Sequence, residues 1–463
     1  MTNTTFELQD DRIISITIDH AVKTMFKSFK IITNEMSTKF ASDIFEYVKN
    51  QNGITAIKSI LILTAVCLIF FYGCKLVILP WNIKRTLTDV GYENILYNQW
   101  SSSERVHMIR ATMKLRKNGK LPPVYPNGWF SLIESDQVKL EQVQHVTALG
   151  EHFAVLRTKN GNVNVLDAYC PHLGANMAIG GTVTGNKLQC PFHGWTFDTN
   201  SGKCIQITTN CLHNTENKIF SNVSVRKWKS CEAYGFIFVW YHAENEQPDW
   251  NPPRIDLTKL IYQGRTEHYA NVHIQDVAEN GADPSHFTEV HSKLIGGFYS
   301  FPKSLLNYIG VHQWASTWIP DESKRYISHV EINYNFKLLK KFNIFQLKIN
   351  ANQIGPGLVI LKIQNIFGNI ILIQTVTPVE PLIQKIVHRV YSPLHQSLFG
   401  RAILFYEKTM LERDIRIWNH KSFVEKPLIT KQESMIRVYR EWYKQYYSCN
   451  SRHFSFKKET MTW

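Results

Sequence analysis

The sequence predicts an α+β chain in three parts: an N-terminal transmembrane helix, a compact all-β domain, and a larger domain in which an antiparallel sheet grips a long helix. Three observations predict it. Ser59 to Leu79 is an apolar run of 21 residues, residues 126–245 are short apolar runs broken by turn signals, and residues 255–447 are strand-rich before ending in two helical patterns. A chain of 463 residues is long enough for two hydrophobic cores, at roughly 100 to 200 residues per domain.

Composition narrows the classes. Hydrophobic residues make up 44% and aromatic residues 13%, so the chain is neither disordered nor low-complexity. Lys plus Arg exceeds Asp plus Glu by 14, which suits an anionic membrane face, an acidic donor protein or simply a solvated basic surface. The basic residues are dispersed and no nucleic-acid-binding signature is present, so nucleic acid is not an expected partner. The eight cysteines form no disulfide framework; Cys67, Cys74, Cys204, Cys211, Cys231 and Cys449 read as small buried hydrophobes.

Taken in order, residues 1–58 mix apolar and charged positions and carry no recognisable chemistry. The run at 59–79 holds a single charge, Lys75, near its end where the side chain can reach the interface, and its length suits a bilayer core of about 30 Å. Lysines and arginines on its two sides do not orient it. Residues 80–125 read as a connector closed by Pro122, Pro123 and Pro126. GEHFAVLRTKNGNVNVLDAY then gives two strand-like runs around the turn Lys159-Asn160-Gly161-Asn162. Asp249 to Pro253 is a linker, Asp276 to Val290 a helical stretch, and GLVILKIQNIF with NIILIQTVTPV a hairpin joined near Gly368-Asn369. Helices are expected over Pro393–Trp418, where Pro suits the first turn, and Ile429–Tyr447, before a basic tail at 448–463.

Chemistry is first visible in YCPHLGANMAIGGTVTGNKLQCPFHGWTFD, which contains C-x-H, then 17 residues, then C-x-x-H. Cys170 with His172, and Cys190 with His193, each supply one thiolate and one imidazole from a tight loop. A [2Fe-2S] cluster with two Cys on one iron and two His on the other needs this pairing. Gly174, Gly180, Gly181, Gly185 and Gly194 crowd the segment, where backbone must pass close to a cluster. A Cys2His2 zinc site would use the same residues, but zinc fingers usually separate the Cys pair from the His pair. The segment resembles the cluster loops of Rieske proteins. Those of respiratory bc complexes add one Cys per loop, at positions matching Ala175 and Phe192, so these loops resemble Rieske oxygenases and ferredoxins instead. A cluster thiolate must stay reduced, which favours a cytosol-facing site.

A second constellation lies in ENGADPSHFTEVH. His286 and His291 are five apart, about 140° round a regular helix, so a helix ending or distorted between them would aim both at one metal. A non-heme iron(II) site takes two His and one carboxylate. Asp283, three residues before His286, is close enough on one helical face to orient it. For the carboxylate, YEKTMLERDIRIWNHKSF offers Glu407, Glu412 and Asp414. The run N-x-x-D-x-x-H-x4-H resembles the iron motif of Rieske oxygenases. That resemblance implies that His286 and His291 are ligands, that Asp283 bridges to a cluster His of a neighbouring subunit, and that Asn280 lies near the iron. It favours Asp414 as third ligand because the acid precedes Ile417-Trp418-Asn419-His420-Lys421.

The Rieske block, ENGADPSHF, DIRIWNHK and the single span together resemble the Neverland-type cholesterol 7-desaturases, over about residues 55–425; the long segment before the span departs from the pattern. Bacterial 3-ketosteroid 9α-hydroxylases resemble the same catalytic half without the anchor. The resemblance implies conversion of cholesterol to 7-dehydrocholesterol with O2, electrons from NAD(P)H, a head-to-tail homotrimer, and single-pass anchoring, in the endoplasmic reticulum, with the catalytic part in the cytosol. No flavin or nicotinamide motif is present, so a separate reductase of flavin or ferredoxin type is the expected donor. Alternatives are a steroid hydroxylase and a membrane-bound Rieske electron carrier, with chlorophyll-related plastid oxygenases disfavoured for want of a Ser-rich transit segment.

Overall fold

The computed structural model describes residues 79–95, 100–207, 222–292 and 310–454, with scattered helical residues between Lys58 and Gly73. The expectations for residues 1–57, for Cys74 and Cys211, and for much of the 59–79 run lie outside the described residues. Among the described residues no helix is long and apolar enough to cross a membrane. Residues 1–78 and 79–463 are separate units, and among the described residues every strand belongs to the second.

Its first strand, β1 (Trp81–Arg85), lies in the stretch expected to be a connector. It is followed by helix α1 (Ser102–Leu115), which begins at a capping box: Ser101 N–H donates to Glu104 Oε2 at 2.7 Å and Glu104 N–H returns a bond to Ser101 Oγ. The all-β domain then holds β2 (Gly128–Glu134), β3 (Gln142–Ala148), β4 (Glu151–Arg157), β5 (Val163–Asp167), β6 (Thr182–Thr184), β7 (Lys187–Gln189), β8 (Thr196–Asp198), β9 (Cys204–Gln206), β10 (Lys227–Trp228), β11 (Ser230–Ala233) and β12 (Phe236–Tyr241). They form sheets ordered β10-β5-β4-β3, β11-β12-β2 and β6-β7-β8-β9. The continuous apolar run in β4 has a simple cause. Phe153 and Val155 join one core, with Phe130, Val165 and Val239, while Ala154 and Leu156 face another built around Met177, Leu188 and Phe197. A strand buried on both faces loses the polar alternation of a half-exposed one.

The larger domain holds β13 (Ile261–Asn271), helices α2 (Ile274–Glu279) and α3 (Pro284–His291), then β14 (Gly310–Pro320), β15 (Ile327–Leu338), β16 (Phe342–Ile354), β17 (Leu358–Asn365), β18 (Gly368–Glu380) and β19 (Ile383–Ser392), and finally helices α4 (Ser397–Trp418) and α5 (Ser434–Tyr443). The eight-stranded sheet runs β1-β13-β19-β18-β17-β16-β15-β14 and is antiparallel except where β1 pairs parallel with β13. Helix α4 packs on β13 and β19.

Several boundaries move. β1 joins the sheet because Gly264 lets it approach: a Cβ there would stand 2.1 Å from the Trp81 carbonyl oxygen. The hairpin turn falls at Ile366-Phe367, with Asn365 opposite Gly368, rather than at Gly368-Asn369. A single turn of 3-10 helix (Leu394–Gln396) precedes α4. The expected helix over 276–290 breaks into α2 and α3 because Pro284 has no N–H to continue it, and Asp283 caps the restart. The linker is pinned: Trp129 Nε1 donates to the Trp250 carbonyl at 2.7 Å and the Trp250 ring stacks on Tyr326 at 4.8 Å. The tail begins pinned too, with Val124 N–H donating to Arg452 O at 2.9 Å.

Candidate metal centres

The two halves of the Cys/His segment fold into matching loops. Cys170 N–H donates to Ala175 O and Gly174 N–H to Cys170 O; one loop later Cys190 N–H donates to Trp195 O and Gly194 N–H to Cys190 O. Gly174 and Gly194 both take left-handed φ, at 73° and 71°, a conformation that costs a side-chain-bearing residue roughly 1–2 kcal/mol. The repeat sets Cys170 and Cys190 together in a buried core and the rings of His172 and His193 4.6 Å apart. Burial pushes the Cys170 thiol up to about 11, so it keeps its proton until a metal displaces it. His172 Nδ1 is buried without a hydrogen-bond partner. Two clustered thiols and an orphaned imidazole nitrogen are a donor set that fits a [2Fe-2S] cluster. Sequence reasoning missed Trp195, whose ring stacks on His172 at 4.5 Å and 5° and fixes its plane. The signal was an aromatic two residues after His193.

The second group is held by two helices. Helix α3 runs unbroken through His286 and ends at His291, and the two rings stand 5.0 Å apart at 84°. Helix α4 carries Asp414 to them: His291 Nε2 lies 3.2 Å from Asp414 Oδ1, and donor atoms of His286, His291 and Asp414 all fall within 4.8 Å of one another. Two donors at right angles, each roughly 2.1 Å from one ion, stand about 3 Å apart, so the group fits a single metal. Burial pushes the His286 imidazole below its ordinary value, which keeps it neutral with a lone pair free.

The residues expected around this site take different places. Asp283 does not orient His286 through its carboxylate. Its Oδ1 caps α3 by accepting from Ser285 N–H at 3.0 Å and His286 N–H at 3.2 Å, and its backbone carbonyl, 2.7 Å away, accepts from His286 Nδ1. That bond leaves Nε2 for the metal, as a carbonyl partner usually does for a ligating His. Asn280 opens the 3-10 turn before α3, half-buried. Glu412 points away from the group, held by Lys408 at 2.9 Å and Arg85 at 3.4 Å, and near His268. These interactions pull it down to about 2 despite burial. Glu407, two helical turns before Asp414 on the same face of α4, is half-buried, as is His286. Burial and, secondarily, Asp414 push its carboxyl up to about 7. The Trp418-Asn419-His420-Lys421 run is structural: Lys421 Nζ donates to Asp276 Oδ1 at 2.7 Å and Asn419 Oδ1 accepts from Asn271 N–H at 2.7 Å, locking the end of α4 to β13 and α2.

Comparison with known proteins matches both domains to known families. Residues 128–216 match the model of the Rieske [2Fe-2S] domain, and residues 239–447 that of the 3-ketosteroid 9alpha-hydroxylase C-terminal domain. The chain is similar to cholesterol 7-desaturase nvd 1 of Ciona intestinalis, at 36% identity over 94% of this chain and 92% of that one. It is also similar to cholesterol 7-desaturase nvd of Drosophila melanogaster, at 38% identity over 81% and 86%. The fold resembles that of dicamba monooxygenase bound to dicamba, at 13% identity and a TM-score of 0.52 over 70% of this chain and 98% of that one. On these grounds the chain belongs to the cholesterol 7-desaturase family of Rieske non-heme iron oxidoreductases.

Proposed function

We propose that this chain is a membrane-anchored sterol oxidase that removes the hydrogens across C7–C8 of cholesterol to give 7-dehydrocholesterol. The observation that carries the reading is the convergence of His286, His291 and Asp414 in a chain that also carries the paired Cys/His loops. In this reading Cys170, His172, Cys190 and His193 hold the [2Fe-2S] cluster, and His286, His291 and Asp414 hold one iron. When bound, the cluster passes single electrons and the mononuclear iron activates O2 for hydrogen removal. The balance is one sterol, one O2, two electrons and two protons in, and one diene and two waters out.

The chain's own residues prepare this step. The Asp283 carbonyl fixes the His286 tautomer, and Lys408 and Arg85 hold Glu412 out of the site. Ile403 and Met410 are buried on the α4 face that carries Glu407 and Asp414, an apolar surround suited to a steroid nucleus. Electrons come from NAD(P)H through a separate flavin or ferredoxin-type reductase. The second Asp283 carboxylate oxygen would serve a bridge to a cluster His of a neighbouring subunit in a homotrimer, with Asn280 beside the iron. The 59–79 run would anchor the chain in the endoplasmic reticulum with the catalytic part in the cytosol, where thiolates stay reduced.

The test is to supply purified chain, a reductase, NADPH and O2 with cholesterol and look for the ultraviolet absorption of the ring-B conjugated diene. A hydroxylated sterol in its place would favour a steroid hydroxylase, the second reading that the 239–447 match supports.

A further inference from the structure

The two ends of the eight-stranded sheet differ in chemistry. At one end the β14–β15 turn reads Asp321-Glu322-Ser323-Lys324, and the β16–β17 and β18–β19 turns carry buried Pro356 and Leu382. At the other end exposed apolar side chains gather at the turns. The β17–β18 turn is Ile366-Phe367, 92% and 68% exposed, and the β15–β16 turn presents Leu339 and Phe342 to solvent. Leu394 and Leu398, where β19 gives way to α4, are exposed at the same end. The β15–β16 turn has three residues, Leu339-Lys340-Lys341, and Leu339 and Lys340 both sit at left-handed φ, 52° and 58°, where Asn or Gly would relieve strain. Lys340 and Lys341 stand between Leu339 and Phe342 in this turn.

The same end receives the N-terminus of this unit. β1 runs parallel to β13, and Ile261, the first residue of β13, lies opposite Ser392, the last of β19. Leu79, which closes the 59–79 apolar run, is therefore joined through Pro80 to the apolar rim, with Trp81 as first residue of β1. Two residues span at most roughly 7 Å.

We propose that this rim docks in the lipid bilayer, with Leu339, Phe342, Ile366, Phe367, Leu394 and Leu398 entering its interface and Lys340 and Lys341 meeting anionic headgroups. A short tether at the same end of the sheet as exposed apolar turns carrying cations is the pattern of a surface lying in the membrane boundary. The inference rests on the reading of the chain as a membrane-anchored sterol oxidase.

To test it, an environment-sensitive fluorescent amino acid is placed at position 366 or at position 323 of the full chain, in phosphatidylcholine vesicles with and without phosphatidylserine. Position 366 is expected to be quenched by brominated lipid and shielded from iodide, and position 323 the reverse. Iodide quenching at both positions overturns the proposal, as does shielding at 366 that is lost on dilution, which would mark an interface between copies. In parallel, the double variant Ile366→Asp with Phe367→Asp is expected to oxidise vesicle cholesterol roughly tenfold more slowly and detergent-dispersed cholesterol at the normal rate. Equal rates for variant and wild type on vesicles also overturn it. If wild type oxidises cholesterol in neither form, the sterol reading fails while the quenching pattern still decides the docking.

Discussion

At the scale of residues, the decisive contrast is between two acids two positions apart on α4. Asp414 reaches the imidazoles, whereas Glu412, about 200° round the helix, is tied to Lys408 and Arg85. Asp414→Asn should therefore lose the mononuclear iron and more than about a hundredfold in activity, since even partners behind the ligands cost ten- to a hundredfold. Glu412→Gln should keep its iron, as read by metal analysis of both variants. Glu407 gives a second prediction. In the metal-free chain its carboxyl is raised from an ordinary 4.5 to about 7, so the folded state holds the proton more tightly than the unfolded state. The resulting stability is complete below pH 4.5 and is lost as pH rises through about 7, amounting to about 3 kcal/mol. Thermal denaturation of the metal-free chain from pH 5 to 8 should show the fall, and Glu407→Gln should flatten it. The gathering of Cys170, His172, Cys190 and His193 was legible because their spacing is local, set by loops closed within six residues. The division of labour among Glu407, Glu412 and Asp414 was not, because it depends on which face of α4 meets α3, and that is decided by residues over a hundred positions away.

At the scale of elements, reading succeeded where period and punctuation agree and failed where tertiary contact overrides them. The long helix and the β17–β18 hairpin follow from apolar patterning. β1 does not, since Pro80 reads as a breaker and its five residues form a strand only by pairing with β13. That pairing yields a prediction: Gly264→Ala puts a Cβ 2.1 Å from the Trp81 carbonyl, which should cost on the order of 1–3 kcal/mol as overpacking does. Urea unfolding should show the loss, and limited proteolysis should show faster cleavage after Arg85. The break between α2 and α3 was written in Asp283-Pro284. The resemblance-led role for Asp283 hid its simpler task as an N-cap, whose removal costs about 1 kcal/mol elsewhere.

At the scale of the whole molecule, the two domains are not beads on a linker. Phe130 and Val155 of the β domain share a core with Val376, Ile386 and Ile415 of the catalytic domain, and Thr377 Oγ1 donates to Ser131 O across the boundary at 2.7 Å. This shared core fixes how the domain with the Cys/His loops sits on the catalytic domain, which in the proposed trimer sets where each cluster meets the neighbouring subunit. Cys190→Ser should consequently abolish turnover through loss of the cluster while the mononuclear iron and sterol binding persist, as measured by metal analysis and sterol titration. The central claim, that one kind of chain both stores electrons and oxidises a sterol, is tested most directly by a single turnover. Fully reduced protein, freed of reductase, is mixed with O2 and cholesterol. The account predicts that the diene forms as the protein is oxidised. Oxidation of the protein with the sterol left untouched would contradict it and leave only an electron carrier.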